Sequence, residues 1–392
     1  MTIRSPASAA DLDAIADLLR HCYAGAPERT AVYLRRIGAE QLRLMGSPDR
    51  IEGCVALLPK GQFFGGRAVP GEGWAAVGVP LEARGDGQAR RMLEAVLIEE
   101  RARGVALVPL YASTQALYRR LGFETAGAAN LYRMNPADLR PGDRDLPATR
   151  IDPLDTARLA PLYQGAAAAH PGWLDRGPAH WGRLTLTAPD EVLYAYLLGD
   201  PAAPEGYLLY SMKAEGDRFA ISVRDRVTLS PAAHRRLWSL LADSRSMVRV
   251  LRWTGPGQDA DTLCVPEQSW QIESAERWML RLVNLPLALT ARGYPAAARG
   301  ALTLTVTDPL FPENTGPWRL TVEGGQGRVE EARGAEDGAG LRLSIGALAP
   351  LYSGLFSASA LQARGAIEGP TAAVAMADTL FAGPEPWMPD RF

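Results

Sequence analysis

At 392 residues the chain is longer than one hydrophobic core ordinarily serves, so two or three domains are expected. Hydrophobic residues make up 47% and charged residues 22%, the balance of a soluble globular protein, and a net charge of −2 gives no electrostatic reason to expect nucleic acid or an anionic membrane as partner. No apolar stretch approaches the length of a membrane span, and the N-terminus carries no signal-peptide core, so the cytoplasm is the expected location. Cys22, Cys54 and Cys264 stand far apart and read as reduced, packed thiols; the histidines are scattered, so no metal site is expected.

Residues 1–137 read as one α/β unit. Leu12, Ile15, Leu18 and Leu19 mark a first helix, and Ile51 to Leu58 and Gln62 to Val69 read as neighbouring strands. Next comes the strand ending Val77-Gly78-Val79-Pro80, then Arg84-Gly85-Asp86-Gly87-Gln88-Ala89, then a helix whose apolar stripe is Ala89, Met92, Leu93, Val96 and Leu97. The strand Val105 to Tyr111 leads into a short helix through Tyr118, and Ala129 to Met134 is the last strand of this part. Pro136, Pro141 and Pro147 punctuate a charged linker.

Residues 138–283 repeat that order. Helices are expected over Asp155 to Ala168 and around His180 to Leu186, with strands at Glu191 to Leu198, Glu205 to Ser211 and Phe219 to Val227. A helix opening at Ser230-Pro231 follows. Counting from Leu229 as from Val79 aligns His234 with Arg84 and Leu237 with Gly87, so a branched side chain stands where the first copy keeps its backbone bare. Residues 284–392 change character. Alternation at Ala301 to Val306 and Trp318 to Val322 suggests antiparallel strands, with Leu341 to Ile345 a further one. Gly324-Gly325 and Asp337-Gly338 mark turns, and Ser353 to Gln362 and Ala372 to Phe381 read as helices.

The strand–glycine turn–helix element carries the chemistry. A helix N-terminus collects unpaired N–H groups and the positive end of the helix dipole, which suits a phosphate. Gly85 and Gly87 admit close approach of an anion, and Arg84 adds a charge able to fork onto phosphate oxygens. The Rossmann and P-loop glycine patterns are absent. Arg84-x-x-Gly87-x-Ala89 after Val77-x-Val79 resembles instead the coenzyme A pyrophosphate motif of the GNAT acetyltransferases, and Ala116-Leu117-Tyr118-Arg119-Arg120-Leu121-Gly122-Phe123 resembles that family's closing motif. Taken alone, Tyr118 reads as a half-buried core tyrosine.

Over its whole length the chain resembles the Eis-like (enhanced intracellular survival) acetyltransferases. Besides the two motifs, Trp278 to Pro286 with Ala291-Arg292-Gly293-Tyr294, Leu348 to Gly354 as a Leu-Tyr-x-Gly helix start, and the terminal Phe392 carry the likeness. The resemblance implies an α/β (α+β) architecture of tandem GNAT folds, the second degenerate, followed by a sterol-carrier-like domain at 284–392. It also implies roles. Val77, Val79 and neighbouring backbone would hold the pantetheine arm of acetyl-CoA, with Arg84, Gly85, Gly87 and Ala89 on the pyrophosphate and Ser113 beside the thiol. Tyr118 would be the general acid and the Phe392 carboxylate the general base. Tyr23, Phe63, Phe64 and Trp74 would line the acceptor cleft, and the alternative for them is burial in the core. The implied activity is acetyl transfer to a primary amine of a small molecule (an aminoglycoside or polyamine among the options) or of a peptide lysine. A homo-oligomer is expected as well, a hexamer among the options. The competing reading is an apolar-ligand carrier using the third domain, with the GNAT part as scaffold.

Overall fold

The computed structural model describes residues 3–47, 50–140, 142, 144–332 and 339–392. In chain order the first repeat comprises β1 (Ile3–Arg4), α1 (Ala9–Tyr23), α2 (Pro27–Ile37), β2 (Leu42–Ser47), β3 (Arg50–Phe64), β4 (Arg67–Gly78), α3 (Gln88–Ala102), β5 (Leu107–Tyr111), α4 (Gln115–Arg119) and β6 (Glu124–Met134). The second comprises β7 (Ala148–Ile151), α5 (Ala160–Ala167), β8 (Leu174–Asp175), α6 (Pro178–Leu184), β9 (Glu191–Asp200), β10 (Ala203–Glu215), β11 (Arg218–Thr228), α7 (Pro231–Ala242), β12 (Val248–Gly255) and β13 (Gln271–Leu282). The last segment has α8 (Leu285–Ala291), β14 (Gly300–Thr307), β15 (Gly316–Glu323), β16 (Gln326–Glu331), β17 (Leu341–Ser344), α9 (Ile345–Ser353), α10 (Ala358–Ala363), β18 (Ile367–Glu368) and α11 (Thr371–Leu380).

These segments form two compact units that do not follow chain order. One takes Met1–Gly127, Arg277–Gly383 and Arg391–Phe392; the other takes Ala128–Glu276 and Pro384–Asp390. In the first, β1, β2, β3, β4 and β5 are neighbours in that order, with β4 and β5 parallel. The strand beyond β5 is the second repeat's last one, β13, paired antiparallel from Trp278↔Tyr111 to Leu282↔Leu107. The second unit mirrors this arrangement with β7, β9, β10, β11 and β12; β11 and β12 are parallel, and β6 of the first repeat pairs antiparallel with β12. Each repeat therefore ends its own sheet with the other's final strand.

The stripe on α3 behaves as its spacing predicts. Met92, Leu93, Val96 and Leu97 are fully buried against Val55, Trp74 and Leu110, each worth about 1.5–3 kcal/mol of burial. The first unit also holds the five-stranded sheet in the order β16, β15, β14, β17, β18. It docks on the first repeat where Gly65 and Gly293 cross: a Cβ on either would overlap the other's carbonyl, and Gly293 N–H donates to the Phe64 carbonyl at 3.0 Å. Arg281, wholly buried, is held by both carboxylate oxygens of Asp308 at 2.7 Å. In the second unit a buried Arg176 plays the corresponding part, bonded to Asp225 and to Asp390 of the tail and lying 3.6 Å from the Tyr163 ring centroid.

Several expectations need correction. The strands expected at Ile51 to Leu58 and Gln62 to Val69 are one strand, β3, running through Pro59-Lys60-Gly61; the chain reverses instead at Gly65-Gly66, with φ of +58° and +87°. Two left-handed glycines make the tight hairpin that matches strand twist, and β2 extends only to Ala56, so it does not cover Pro59. The helix expected over Ser353 to Gln362 is two. α9 ends at Ser353 on a left-handed Gly354 (φ +82°), so the Leu-Tyr-x-Gly motif closes a helix and does not open one, and Ser357 caps α10 by accepting from Ala360 N–H. The sequence reading missed α2, β2, β12, β13, α8 and β16, and the short strands β1, β7, β8 and β18. The expected turn at Asp337-Gly338 and the linker residue Pro141 lie outside the described residues. Among the described residues no helix is long and apolar enough to cross a membrane.

Candidate active site

The site is built on a defect in β4. Cys54 pairs with Gly78 and Ala56 with Ala75, so two residues, Ala76 and Val77, stand opposite Val55 alone. Ala76 has φ +49°, a left-handed conformation uncommon for a residue with a Cβ and a form of local strain concentrated at functional sites. The bulge bends β4, and the last paired position between β4 and β5 is Trp74↔Leu110. Beyond it the two parallel strands part. Backbone acceptors in the opening are engaged from the first helix: Tyr23 Oη donates to the Val77 carbonyl at 2.8 Å, and Cys22 Sγ to the Val79 carbonyl at 3.6 Å.

Nine residues, 79–87, join β4 to α3. Gly85 (φ +93°) and Gly87 (φ +75°) are exposed and left-handed, and a Cβ on Gly85 would meet nothing within 4 Å. Glycine is required there by backbone conformation, not by crowding. Gly87 is the N-cap of α3, which has neither a side-chain cap nor an acidic residue in its first turn. The helix therefore presents bare N–H groups and its positive pole outward, the arrangement that binds anions. Ala89 lies in that first turn, half-buried. Arg84 is exposed, its Nε donating to the Val79 carbonyl at 3.3 Å and an Nη to Cys22 Sγ at 3.6 Å.

On the far side of the opening, β5 leads through exposed Ser113 to α4. Tyr118 is 6% exposed and meets Phe123 edge-on at 5.6 Å between centroids. Burial pushes its phenol up to about 12, so it keeps its proton throughout the neutral range. The chain's last residue is packed into the same unit. The Phe392 ring lies edge-on to Tyr111 at 6.0 Å, with the Lys60 ammonium 2.8 Å from its centroid, and a Cβ on Gly73 would collide with both.

The residues expected to line an acceptor cleft divide. Tyr23 is half-exposed at the opening. Phe63, Phe64 and Trp74 are interior, at 5%, 0% and 2% exposure: Phe64 packs edge-on against Tyr352, and the Trp74 indole donates to Glu100 at 3.3 Å. Those three have no surface to offer a substrate. Sequence reasoning missed Cys22, Lys60, Ala76 and Tyr111. A lysine flanked by Pro59 and Gly61 within an otherwise apolar strand was the one available signal for Lys60.

The register drawn for the second copy also needs correction. By topology β11 and α7 correspond to β4 and α3, and the residue at the position of Gly87 is the N-cap Ser230, not Leu237. Leu237 lies well inside α7 and is buried. Only Leu229 and Ser230 join β11 to α7, and Ser230 Oγ accepts from Ala233 N–H while donating to Glu205. The second copy lacks the glycine loop altogether, and its helix pole is capped by its own side chain.

Among the described residues no group of three or more His, Cys, Asp or Glu is placed to hold a metal. The chain matches models of the acetyltransferase (GNAT) domain over residues 3–126 and again over 172–282, and of the sterol carrier protein domain over 285–389. An uncharacterized N-acetyltransferase from Streptomyces griseus is 29% identical, covering 94% of each chain. A solved GCN5-related N-acetyltransferase from Anabaena variabilis is 35% identical over the full length of both chains, with a TM-score of 0.95. Eis1 from Mycobacterium abscessus shares the fold over both full chains, with a TM-score of 0.83 at 23% identity.

Proposed function

The chain belongs to the GCN5-related N-acetyltransferase family, and on that premise we propose that its first repeat transfers acetyl from acetyl-CoA to a primary amine. The observation that carries this reading is the bare, left-handed glycine loop at the start of α3, following a bulged strand, with a buried tyrosine on the helix after β5. The pyrophosphate sits on the N–H groups of the α3 start, including Gly87 and Ala89, with Gly85 giving backbone access and Arg84 swinging from the Val79 carbonyl to a phosphate oxygen. The pantetheine arm lies along Val77 and Val79, and Ser113 flanks the thiol.

The amine arrives neutral and its nitrogen attacks the thioester carbonyl carbon; the N–C bond forms as the C–S bond breaks. Tyr118 gives its proton to the departing sulfur as negative charge develops there. The ammonium proton leaves toward the Phe392 carboxylate. A terminal carboxylate is a weak base at its free pKa of about 3.5, so it acts through a water or by orienting the amine. The acceptor class is an amine-bearing small molecule or a peptide lysine. The test is CoA thiol release from acetyl-CoA against aminoglycosides, polyamines and lysine peptides. At least one amine should raise release well above hydrolysis, and Tyr118→Phe should lower turnover by roughly 10²-fold with acetyl-CoA affinity little changed. No amine-dependent release would overturn the activity; unchanged turnover in Tyr118→Phe would overturn the role of the tyrosine.

A further inference from the structure

The second repeat has lost the phosphate loop but kept the opening beside it. Its parallel strands β11 and β12 are last paired at Ser222↔Arg252, well before β11 ends at Thr228 and β12 at Gly255. In the space beyond lies a cavity of about 320 Å³, walled by the end of β11, by α7 and by the loop after β12. This is where the first repeat places its candidate cofactor cleft. Further walls come from the end of α5 and the segment after it (Ala166, His170 and Trp173) and from the C-terminal tail, whose Trp387 N–H donates to the Pro171 carbonyl at 3.1 Å. The volume is at the lower end for small-molecule sites.

Its lining combines indole side chains with an excess of carboxylate. Trp173, Trp238 and Trp387 all contribute; Trp173 stacks on His170 at 4.3 Å and meets Trp387 edge-on at 5.2 Å. Three carboxylates, Asp259, Asp261 and Glu385, face one guanidinium, Arg226. Arg226 is held by Asp259 at 3.1 Å and Asp261 at 2.6 Å, while Glu385 accepts from the N–H groups of Gly257 and Gln258, each at 3.0 Å. Of the two histidines, His234 lies 3.6 Å from Asp261, and burial holds His170 below its ordinary value, neutral near pH 7. Burial also raises Asp259.

We propose that this cavity is a second ligand site, distinct from the acetyl-transfer site, which takes a small organic cation: an amine or quaternary ammonium on a compact apolar body. Indole faces attract cations through the ring quadrupole, and the surplus carboxylate rejects anions. The duplicated fold kept its cleft and exchanged phosphate chemistry for cation chemistry.

The probe is phenyltrimethylammonium, which has no N–H and cannot be acetylated, titrated into the full-length protein by calorimetry and by quenching of tryptophan fluorescence. Saturable binding at one site per chain is expected, with benzoate failing to bind. Asp261→Asn and Glu385→Gln should each weaken the cation by about threefold or more, the scale of losing one partly exposed charge. Glu385→Gln keeps an acceptor for the Gly257 or Gln258 N–H, and a thermal melt identifies whichever variant folds as the parent does. Equal binding of benzoate, unsaturable binding of the cation, or parental affinity in both folded variants would overturn the proposal.

Discussion

The two repeats share a strand order, a parallel pair that parts at its carboxyl ends, and a helix that starts beside the gap. They differ in what lies between strand and helix. The first inserts nine residues with two left-handed glycines and leaves its helix pole uncapped; the second uses two residues, and its helix is capped by Ser230. The tail completes the contrast, since Glu385 and Trp387 wall the cavity of the second unit while Phe392 packs on Tyr111 of the first. The two repeats thus keep one fold and differ in the length of one loop and in whether the helix N–H groups beside it are capped.

The largest effect should come at the tail. Removing Phe392 leaves a carboxylate one residue short, up to about 3.5 Å in reach, and strips the ring from Lys60 and Tyr111. Misplacement by even 1 Å costs on the order of 10²-fold when geometry supplies the rate, so this variant, and a C-terminally tagged protein, should bind acetyl-CoA normally and turn over about 10²-fold slower. A tagged enzyme as fast as the untagged one would show that the carboxylate takes no part.

Next in size is Gly87→Leu. A left-handed leucine is strained by about 1–2 kcal/mol, and relieving the strain moves the N–H groups that the phosphate needs. Acetyl-CoA affinity should fall roughly tenfold or more, and calorimetry on the parent protein should count one acetyl-CoA per chain. Two sites per chain would end the contrast between the repeats.

Ser230→Ala probes the other side of the comparison. It removes a cap and should lower stability by about 1 kcal/mol without altering acetyl-CoA binding. A rise in acetyl-CoA stoichiometry on opening that cap would mean that the cap, and not loop length, had closed the second site.

A last effect is read in pH and concerns the core of the first unit. Glu100 is buried beside Glu72, and burial first, then the neighbouring carboxylate, lifts it to about 9. A raised carboxyl is protonated in the folded state while the unfolded chain has released its proton. Its contribution is therefore full below about pH 4.5 and is lost as pH rises toward 9. Glu100→Gln should flatten that part of the stability–pH curve in denaturant titrations; an unchanged slope would show that Glu100 ionises freely.

Much of this was legible in the chain. The α3 stripe, the glycines at 85 and 87, the Tyr118 helix and the repeated order of helices and strands are local patterns, and periodicity or turn chemistry reports them directly. Two local signals were read too simply: Pro59-Lys60-Gly61 outweighed the Gly65-Gly66 turn, and Gly354 was taken inside a helix that it ends.

Composition and spacing by themselves determined that this is a three-part α/β chain with a glycine loop ahead of one helix and a tyrosine downstream, because those features depend on residues close in sequence. Only the tertiary structure decided that Ser230, and not Leu237, stands opposite Gly87, since the lengths of helix and loop set that register. It alone decided that Phe63, Phe64 and Trp74 are core and that the repeats exchange final strands, because burial and strand pairing are settled by partners distant in the chain. For the same reason nothing in the sequence announced the cavity of the second unit: its walls come from a strand, two helices, two loops and a tail that converge only when the chain folds.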